Sequence, residues 1–224
     1  MTINIYKKRT LAKNDDVKTV KNMTKIILIR HGESLANAQR IYLGHTDWDL
    51  SERGYEQARE AAERISHLKI DKIYSSDLIR AYNTAFEHAK LRGMDVTAKK
   101  ELREVYLGEW ECRKIEELES EYPEQFLNMW QKRFGECTPP GGESIVDVAE
   151  RIYNAVLDIA RENLEKTVLI GCHAAAIRSF WGKVTHTKAE DVCEKIPFPK
   201  NASFTVVEFD GEKLLPVVFD AVEL

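Results

Sequence analysis

The stretch IILIRHG at residues 26–32 decides the fold, because a short apolar run delivers an arginine and a histidine side by side into a glycine. An apolar run of this length is too short for a helix and predicts a buried strand. In α/β proteins, ligand-binding residues gather just beyond the carboxyl ends of such strands. The sequence therefore predicts that His31 lies at a crevice, beside the fixed positive charge of Arg30.

Strand and helix patterns alternate outward from this stretch. Such alternation favours a largely parallel sheet that is covered by helices on both faces, and therefore an α/β fold. The predicted elements after the first strand are a helix through 58–68, a strand at 71–74, a helix from 78 to Gly93 with N-cap residues at 75–77, a strand at 94–98, helical material over 111–134 interrupted before Pro123, a helix from 143 to about 166, a strand at 167–171, a helix from 174, and a hairpin of 204–209 and 214–219.

The composition limits the partners of the chain. Its 224 residues suffice for one α/β domain with an inserted cap, and 33 Lys and Arg against 37 Asp and Glu give a formal net charge of −4. This balance provides no excess of positive charge that would attract nucleic acid, so we expect a small-molecule partner. No apolar stretch approaches the roughly 20 residues that cross a bilayer, which predicts a soluble protein without a membrane partner. A homo-oligomer stays an open alternative.

The cysteines and the first residues bear on the compartment. Cys112, Cys137, Cys172 and Cys193 are widely spaced and form no C-x-x-C pattern. This spacing argues against a disulfide framework or a cysteine-built zinc site. The segment 1–25 is polar and lysine-rich, without the apolar core of a secretory signal. These features predict reduced thiols and a cytoplasmic location.

The segment 1–22 precedes the first strand and is predicted to be an extension without a catalytic role. Met23 stands directly before that strand, where a single domain over 23–224, with a cap at about 105–140, would begin. The alternatives are that this segment packs as an extra element, or that the start of the chain is assigned too far upstream. We expect a truncated chain that starts at Met23 to keep its activity, and a folded truncation that loses turnover would refute this.

Two histidines stand at equivalent places in the predicted fold. His31 and His173 each follow a predicted strand, and Arg80 follows a third strand in the first turn of its helix. The carboxyl ends of parallel strands share one edge of a sheet. We therefore expect these three side chains to converge, although they are far apart in the sequence.

Six short sequence motifs are distributed along the chain from the first predicted strand to His173. They are LIRHGES at 28–34, SDLIRA at 76–81 with TA at 84–85, LRE at 102–104, GEW at 108–110, GGES at 141–144 and VLIGCH at 168–173. Together they resemble the histidine phosphatase superfamily, also called the phosphoglycerate mutase-like family, from Thr24 to about Phe209. The resemblance implies a three-layer α/β/α sandwich with a mostly parallel central sheet, a small helical cap and a transiently phosphorylated histidine.

The resemblance also implies roles for the residues that match the family's motifs. It implies no cofactor and no metal. The family commonly has glycine where Ala174 stands, so this chain departs from the pattern beside the phosphate. The matching residues are His31 as nucleophile, Arg30 and Arg80 as phosphate-binding arginines, Glu104 as general acid, His173 as second histidine, Asn37 as a further hydrogen-bond donor to phosphate, Gly44 as a loop glycine near the ligand, and Ala174 beside the bound phosphate.

Phosphoryl chemistry agrees with these roles. Planar guanidinium groups on Arg30 and Arg80 match the charged equatorial oxygens of a phosphoryl group, so no metal is required. His31 must attack as neutral imidazole, with one ring nitrogen donating a hydrogen bond, for example to a backbone carbonyl. His173 would add a charge-assisted donor. Glu104 would protonate the leaving alkoxide and later deprotonate the attacking water.

Structural alternatives stand beside these roles. Glu104 would by default be a surface carboxylate, and Arg80 would pair with Asp77 on a helix face, an interaction worth about 0.3 to 0.5 kcal/mol. Cys172 reads as a small buried residue, and Glu143 as a support for the loop before its helix. The remaining histidines, His45, His67, His88 and His186, read as surface or structural residues.

Three functions remain open at this stage. Glycolytic mutases follow their acid with a basic and aromatic cluster that grips a carboxylate, whereas Val105-Tyr106-Leu107-Gly108 follows Glu104 here. Hydrolysis by a phosphomonoesterase is therefore favoured, a cofactor-dependent phosphoglycerate mutase is the alternative, and an idle phosphate-binding or interaction protein is the second alternative. The substrate stays open, since the cap aromatics either line an apolar wall or simply pack. Those aromatics are Trp48, Tyr106, Tyr122 and Trp130.

Overall fold

The computed structural model describes residues 23–132 and 138–224, with side chains described for 23–130 and 138–224. The predicted extension at 1–22 lies outside the described residues, as do Phe134 and Cys137. The role of that extension stays a prediction. In the described part of the chain, no helix is both long enough and apolar enough to span a membrane.

A six-stranded sheet forms the centre of the fold. Its strands lie in the order β3-β2-β4-β1-β5-β6, and the four strands from β3 to β1 are parallel. The last two strands form the predicted hairpin, in which β5 runs antiparallel both to β1 and to β6. A mostly parallel sheet is therefore confirmed. The strands are β1 at Thr24–Arg30, β2 at Lys72–Ser75, β3 at Val96–Ala98, β4 at Thr167–Cys172, β5 at Phe204–Phe209 and β6 at Leu214–Ala221.

Helices cover both faces of the sheet, which confirms the expected α/β fold. Alternate residues of β1 point to opposite faces, so Ile26 and Leu28 join one core while Ile27 and Ile29 join the other. The first core is closed by α6 and α7, the second by α2 and α3. The helices are α1 at Leu35–Ala38, α2 at Glu52–Arg64, α3 at Ile79–Arg92, α4 at Ile115–Glu121, α5 at Pro123–Leu127, α6 at Ile145–Glu162, α7 at Ala174–Val184 and α8 at Ala189–Lys195.

The predicted cap region contains short helical pieces. Two 3₁₀ turns at Lys100–Leu102 and Gly108–Trp110 lead into α4 and α5, and a π-helical turn follows at Asn128–Lys132. Pro123 opens α5 at its first position, where a missing N–H costs nothing, so the interruption predicted there is present. The buried rings of Trp110 and Phe126 pack 6.0 Å apart and anchor these pieces on the first core.

The predicted capping of α3 by residues 75–77 is confirmed only in part, since the Ser76 hydroxyl accepts from the Leu78 N–H at 3.2 Å. The N-cap of α3 is Leu78, which has no capping side chain, and the Ile79 N–H donates instead to the carboxylate of Asp47 at 2.7 Å. Asp77, expected to help cap the helix, accepts two hydrogen bonds of 2.7 Å from Arg103. A bidentate guanidinium pair satisfies this carboxylate, and a distant aspartate takes over the cap.

Two helices end earlier than the apolar pattern predicts. The second helix ends at Arg64, and α6 runs only to Glu162, short of the predicted 166. Asn163 accounts for the earlier stop, since its side-chain amide donates to the Ile159 carbonyl at 2.9 Å and to the Tyr74 hydroxyl at 3.1 Å. The predicted start of α6 is confirmed within two residues, with the Ser144 hydroxyl accepting from the Asp147 N–H.

Candidate active site

The two predicted histidines lie side by side at the carboxyl ends of neighbouring strands. β1 and β4 pair in parallel with Arg30 opposite Cys172, and the His31 N–H donates to the Cys172 carbonyl at 3.0 Å. The imidazole rings of His31 and His173 are 5.3 Å apart and meet edge to face at 61°. Parallel pairing of two strands thus brings together residues that are far apart in the sequence.

Close backbone packing fixes the turn that carries His31. A Cβ atom on Gly32 would lie 2.3 Å from the Gly54 carbonyl oxygen, so no larger residue fits without moving the start of α2. The Gly32 N–H donates to the Thr84 hydroxyl at 3.0 Å, and the Asn201 amide donates to the His31 carbonyl at 3.0 Å. The glycine after the histidine therefore permits close approach of two chain segments.

The His31 imidazole is held in the form that a nucleophile requires. Its Nδ1 lies 2.6 Å from the Gly32 carbonyl oxygen, which can only accept, so Nδ1 carries the proton. Nε2 then keeps its lone pair. Burial, together with the charges of Arg80 and Arg30, holds the pKa of His31 well below its ordinary value. The ring is therefore neutral at neutral pH.

Arg80 points from the first turn of α3 toward the histidines. Its guanidinium donates to the carbonyl oxygens of Gly44 at 2.7 Å and Thr46 at 3.1 Å, and the residue is only 2% exposed. Burial lowers its pKa, while the carboxylates of Glu104 and Asp47 oppose that shift. Pairing with Asp77, the structural alternative, does not occur. Two loop carbonyls aim this guanidinium instead.

Arg30 closes the site from the end of β1. One guanidinium nitrogen, Nη1, donates to the Pro199 carbonyl at 2.6 Å. Its buried Nε has no hydrogen-bond partner among the residues that the structure describes. Burial lowers the pKa of this guanidinium, with Glu104 opposing the shift. A positively charged donor next to His31 is thus left available for an anion.

His173 is fully buried at the N-cap of α7, against the His31 ring. Neither of its ring nitrogens has a hydrogen-bond partner within the described part of the chain. Burial and the charge of Arg80 hold its pKa well below the ordinary value. The site therefore offers a neutral imidazole instead of the charged donor that was expected, because burial disfavours a second positive charge next to Arg80.

Glu104 caps the same helix, a contact that the sequence did not indicate. Its carboxylate accepts hydrogen bonds from the backbone N–H groups of Val105 at 3.0 Å, Ala175 at 3.1 Å and Ala176 at 2.9 Å. The Glu104 carbonyl also accepts from the side chains of His45 and Arg151. The surface alternative is thus replaced by a carboxylate fixed at a helix N-terminus, where negative charge is stabilised.

Glu111 organises the loop that aims Arg80, and sequence reasoning missed it. Its carboxylate accepts from the backbone N–H groups of His45 at 2.6 Å and Thr46 at 2.9 Å. Gly44 adopts a φ of +53°, and a Cβ atom there would lie 2.2 Å from a Glu111 carboxylate oxygen. The GEW block directly before Glu111 was the available signal, but periodicity says nothing about a contact across loops.

Asn37 and Ala174 also reach the site. The Asn37 side-chain oxygen accepts from the Ser34 N–H at 3.2 Å within a capping box on α1, which directs the amide nitrogen away from that bond. Ala174 is the first residue of α7. The described residues contain no group of three or more His, Cys, Asp or Glu that could hold a metal ion. Cys172 is the small buried residue expected, and burial raises the pKa of its thiol to about 12.

A cleft of about 240 Å³ opens over these side chains. Every residue predicted for the site lines it except His173, which lies in contact with the ring of His31. Of the four cap aromatics, Trp130 lines the cleft, whereas Tyr122 packs on Trp110 and Tyr106 on His45. The apolar part of the lining, largely missed by sequence reasoning, comprises Ile41, Tyr42, Leu43, Val105, Leu107, Ile115, Trp130 and Phe198, with the alanines at 174 and 175.

Comparison with known proteins finds phosphatases and phosphoglycerate mutase-like proteins similar to this chain. The sequence profile of the histidine phosphatase superfamily (branch 1) matches residues 26–220. Phosphoserine phosphatase 1 of Hydrogenobacter thermophilus is 35% identical over 159 residues, which cover 71% of this chain and 75% of the relative. Phosphoglycerate mutase-like protein 4 of Arabidopsis thaliana is 33% identical over 192 residues, which cover 84% of this chain and 81% of the relative. The solved structure of Bacillus stearothermophilus YhfR matches with a TM-score of 0.83 at 29% identity, covering 88% of this chain and 97% of that one.

Proposed function

The chain belongs to the histidine phosphatase superfamily, and from this premise we propose a metal-independent phosphomonoesterase that cleaves a small phosphorylated metabolite through a phosphohistidine at His31. The observation that carries the proposal is the meeting of two neutral imidazoles and two buried guanidinium groups at one cleft. Such a set of donors, with one free imidazole lone pair, fits a tetrahedral anion that is to be attacked.

The first half-reaction transfers the phosphoryl group to the protein. Nε2 of His31 attacks phosphorus in line, and the bond from phosphorus to the alcohol oxygen breaks. Arg30, Arg80 and His173 donate to the equatorial oxygens, which carry the charge in the transition state. Glu104 takes up a proton that the substrate monoanion supplies on binding and passes it to the departing oxygen, so that the alcohol leaves neutral. Asn37 adds a further donor at the cleft.

The second half-reaction returns the protein to its starting state. A water molecule attacks the phosphorus of phosphohistidine, and the P–N bond breaks in favour of a P–O bond. Glu104, now a carboxylate, accepts the proton of that water, so inorganic phosphate leaves and His31 regains its lone pair. The three backbone N–H donors to Glu104 stabilise the carboxylate that this step needs.

Hydrolysis is favoured over isomerisation by what surrounds the phosphate site. A mutase must hold a phosphorylated sugar acid while the phosphoryl group leaves and returns, which requires cations for the substrate carboxylate. Among the described residues that line the cleft, the cations are Arg30 and Arg80, both assigned to phosphate. Mutase activity is the alternative, supported by the similarity to the mutase-like relative from Arabidopsis thaliana.

A panel of phosphomonoesters in excess chelator tests the proposal. Released phosphate and isomerised product are measured in the same tube, and we expect released phosphate that disappears in His31→Ala. His67→Ala is the matched control, because His67 is exposed and does not line the cleft. Isomerised product without phosphate release would establish the mutase instead. Absence of both products from the unmodified protein across the panel would favour a binding protein.

A further inference from the structure

One wall of the cleft is a continuous set of aromatic rings. Tyr42 and Trp130 stack at 5.8 Å with their planes 9° apart, and Trp130 contacts Phe198 at 5.7 Å between ring centroids. Ile41 and Ile115 line the cleft beside them. These five residues, called here the apolar wall, come from three separate segments of the chain that all meet in the same cleft as His31.

A buried arginine holds the apolar wall in place. Arg178 on α7 donates to the backbone carbonyls of Ile196 at 2.7 Å and Trp130 at 3.2 Å. Its guanidinium carbon lies 4.3 Å from the centre of the Phe198 ring. These contacts fix both Trp130 and the segment leading to Phe198, so the wall is formed before any substrate arrives. Preorganisation of this kind reduces the entropy cost of binding.

Among the residues whose side chains the structure describes, the charged groups of the cleft lie outside the apolar wall. Within the described lining, the cations are the two arginines that the proposed function assigns to phosphate, and the carboxylate of Glu104 is bound to helix N–H groups. A substrate carboxylate or ammonium placed against the wall would lose water without gaining a partner, which is costly. An apolar group placed there would gain from burial.

We propose that the apolar wall is a specificity site that binds the organic group of the substrate, and that this group is an aryl or extended alkyl group without charge. The inference rests on the proposed phosphomonoesterase function and adds the class of alcohol released. It sets this chain apart from enzymes whose alcohol product is an amino acid or a sugar acid, because those products carry charges that the wall does not match.

Matched primary-alkyl phosphates test the substrate class. Phenylpropyl phosphate, ethyl phosphate and phosphoserine all release a primary alcohol, so differences in their hydrolysis report the effect of the organic group. We expect kcat/KM for phenylpropyl phosphate to exceed the other two by about tenfold or more, the usual value of well-placed apolar contacts. Equal or faster hydrolysis of phosphoserine would overturn the inference while leaving the phosphomonoesterase intact. Failure of all three substrates and of the wider panel would overturn the proposed function itself.

A pair of matched variants tests the wall directly. Phe198→Ser removes a ring that is 39% exposed, and Phe86→Ser removes an equally exposed ring on α3, outside the cleft. We expect Phe198→Ser to lower kcat/KM about tenfold for phenylpropyl phosphate and less than about twofold for ethyl phosphate. Phe86→Ser should change neither value. An equal loss of kcat/KM on both substrates, or no loss on either, would contradict the inference. If Phe198→Ser does not fold, Ile115→Thr replaces it as the test variant.

Discussion

Burial sets the chemistry of each side chain at the site. His31 and His173 are neutral because burial and the nearby guanidinium groups both disfavour a further positive charge. Sequence reasoning predicted the residue types and, from their places after parallel strands, their convergence. It did not predict the contacts of Glu104 with α7, since hydrogen bonds between segments 71 and 72 residues apart leave no periodic signal.

Removal of the Arg80 side chain tests the electrostatic part of the mechanism. We expect Arg80→Ala to lower kcat by roughly 10³ or more, because a buried guanidinium that stabilises phosphoryl transfer is lost. Steady-state kinetics on one phosphomonoester measure the effect. Arg161→Ala is the control, since Arg161 is an exposed residue of α6. A loss below about tenfold, or about 1.4 kcal/mol, would remove Arg80 from the catalytic set.

At the level of elements, strands and helices followed from apolar periodicity, whereas their ends and connecting loops did not. The start of α3 is capped by Asp47, which lies 32 residues before Ile79 in the sequence. The loop at residues 44–46 is likewise held by Glu111, which lies 65 and 66 residues after Thr46 and His45. Long-range caps of this kind depend on the completed fold, so local sequence rules assign the cap to the wrong residues.

Glu111 is expected to act as a positioning residue through this loop. In Glu111→Gln an amide nitrogen replaces one acceptor oxygen, which leaves a loop N–H unpaired and costs about 1 to 3 kcal/mol. The carbonyls that aim Arg80 then shift. We expect kcat/KM to fall about tenfold and the inhibition constant of inorganic phosphate to rise by a similar factor.

Glu109→Gln is the matched control for this prediction, because Glu109 is an exposed neighbour in the same turn. It should leave both constants unchanged. A Glu111→Gln protein with lowered thermal stability but unchanged phosphate affinity would show that Glu111 only supports the fold, and the positioning role would then be withdrawn.

Across the whole molecule, the two cores differ in what they bury besides apolar side chains. The core on the α2 and α3 side encloses His88, whose ring nitrogens have no hydrogen-bond partner among the described residues. The ring packs edge to face on Phe204 at 6.1 Å. Burial, with Arg92 and Arg64 nearby, lowers the pKa of His88 from 6.5 to about 3. This placement agrees with the interpretation, made from the sequence, of His88 as a surface or structural histidine.

The low pKa of His88 predicts acid sensitivity of the fold. The folded pKa of about 3 lies below the unfolded value of 6.5. The contribution of neutral His88 to the free energy of unfolding is therefore complete above pH 6.5 and is lost as pH falls toward 3. Between pH 7 and pH 5, this histidine alone should lower the free energy of unfolding by about 2 kcal/mol.

His88→Leu should remove the part of the pH dependence of the free energy of unfolding that is due to His88. Urea unfolding at pH 7 and pH 5 measures this free energy. The control is His67→Leu, which replaces an exposed histidine and should keep the pH dependence of the parent protein. An identical loss of stability in His88→Leu and in the unmodified chain would show that folding does not lower the pKa of His88.

The shape of the cleft was the least predictable property of the molecule. Trp130, Phe198 and Tyr42 meet only after the cap pieces, the segment before β5 and the loop after α1 have packed together. No spacing in the sequence relates such residues. The convergence of His31, His173 and Arg80 was predictable because strand ends place them, whereas the apolar wall depends on how separate irregular segments pack.

Trapping the phosphorylated protein tests the central claim most directly. The chain is mixed with a radiolabelled phosphomonoester, quenched within one turnover in denaturant at alkaline pH, and mapped by mass spectrometry. A covalent phosphoryl group that is stable in base, labile in acid and located on His31 is the predicted result, and it should be absent from His31→Ala. Phosphate release without any phosphoryl-protein, or a label on a different residue, would contradict the account.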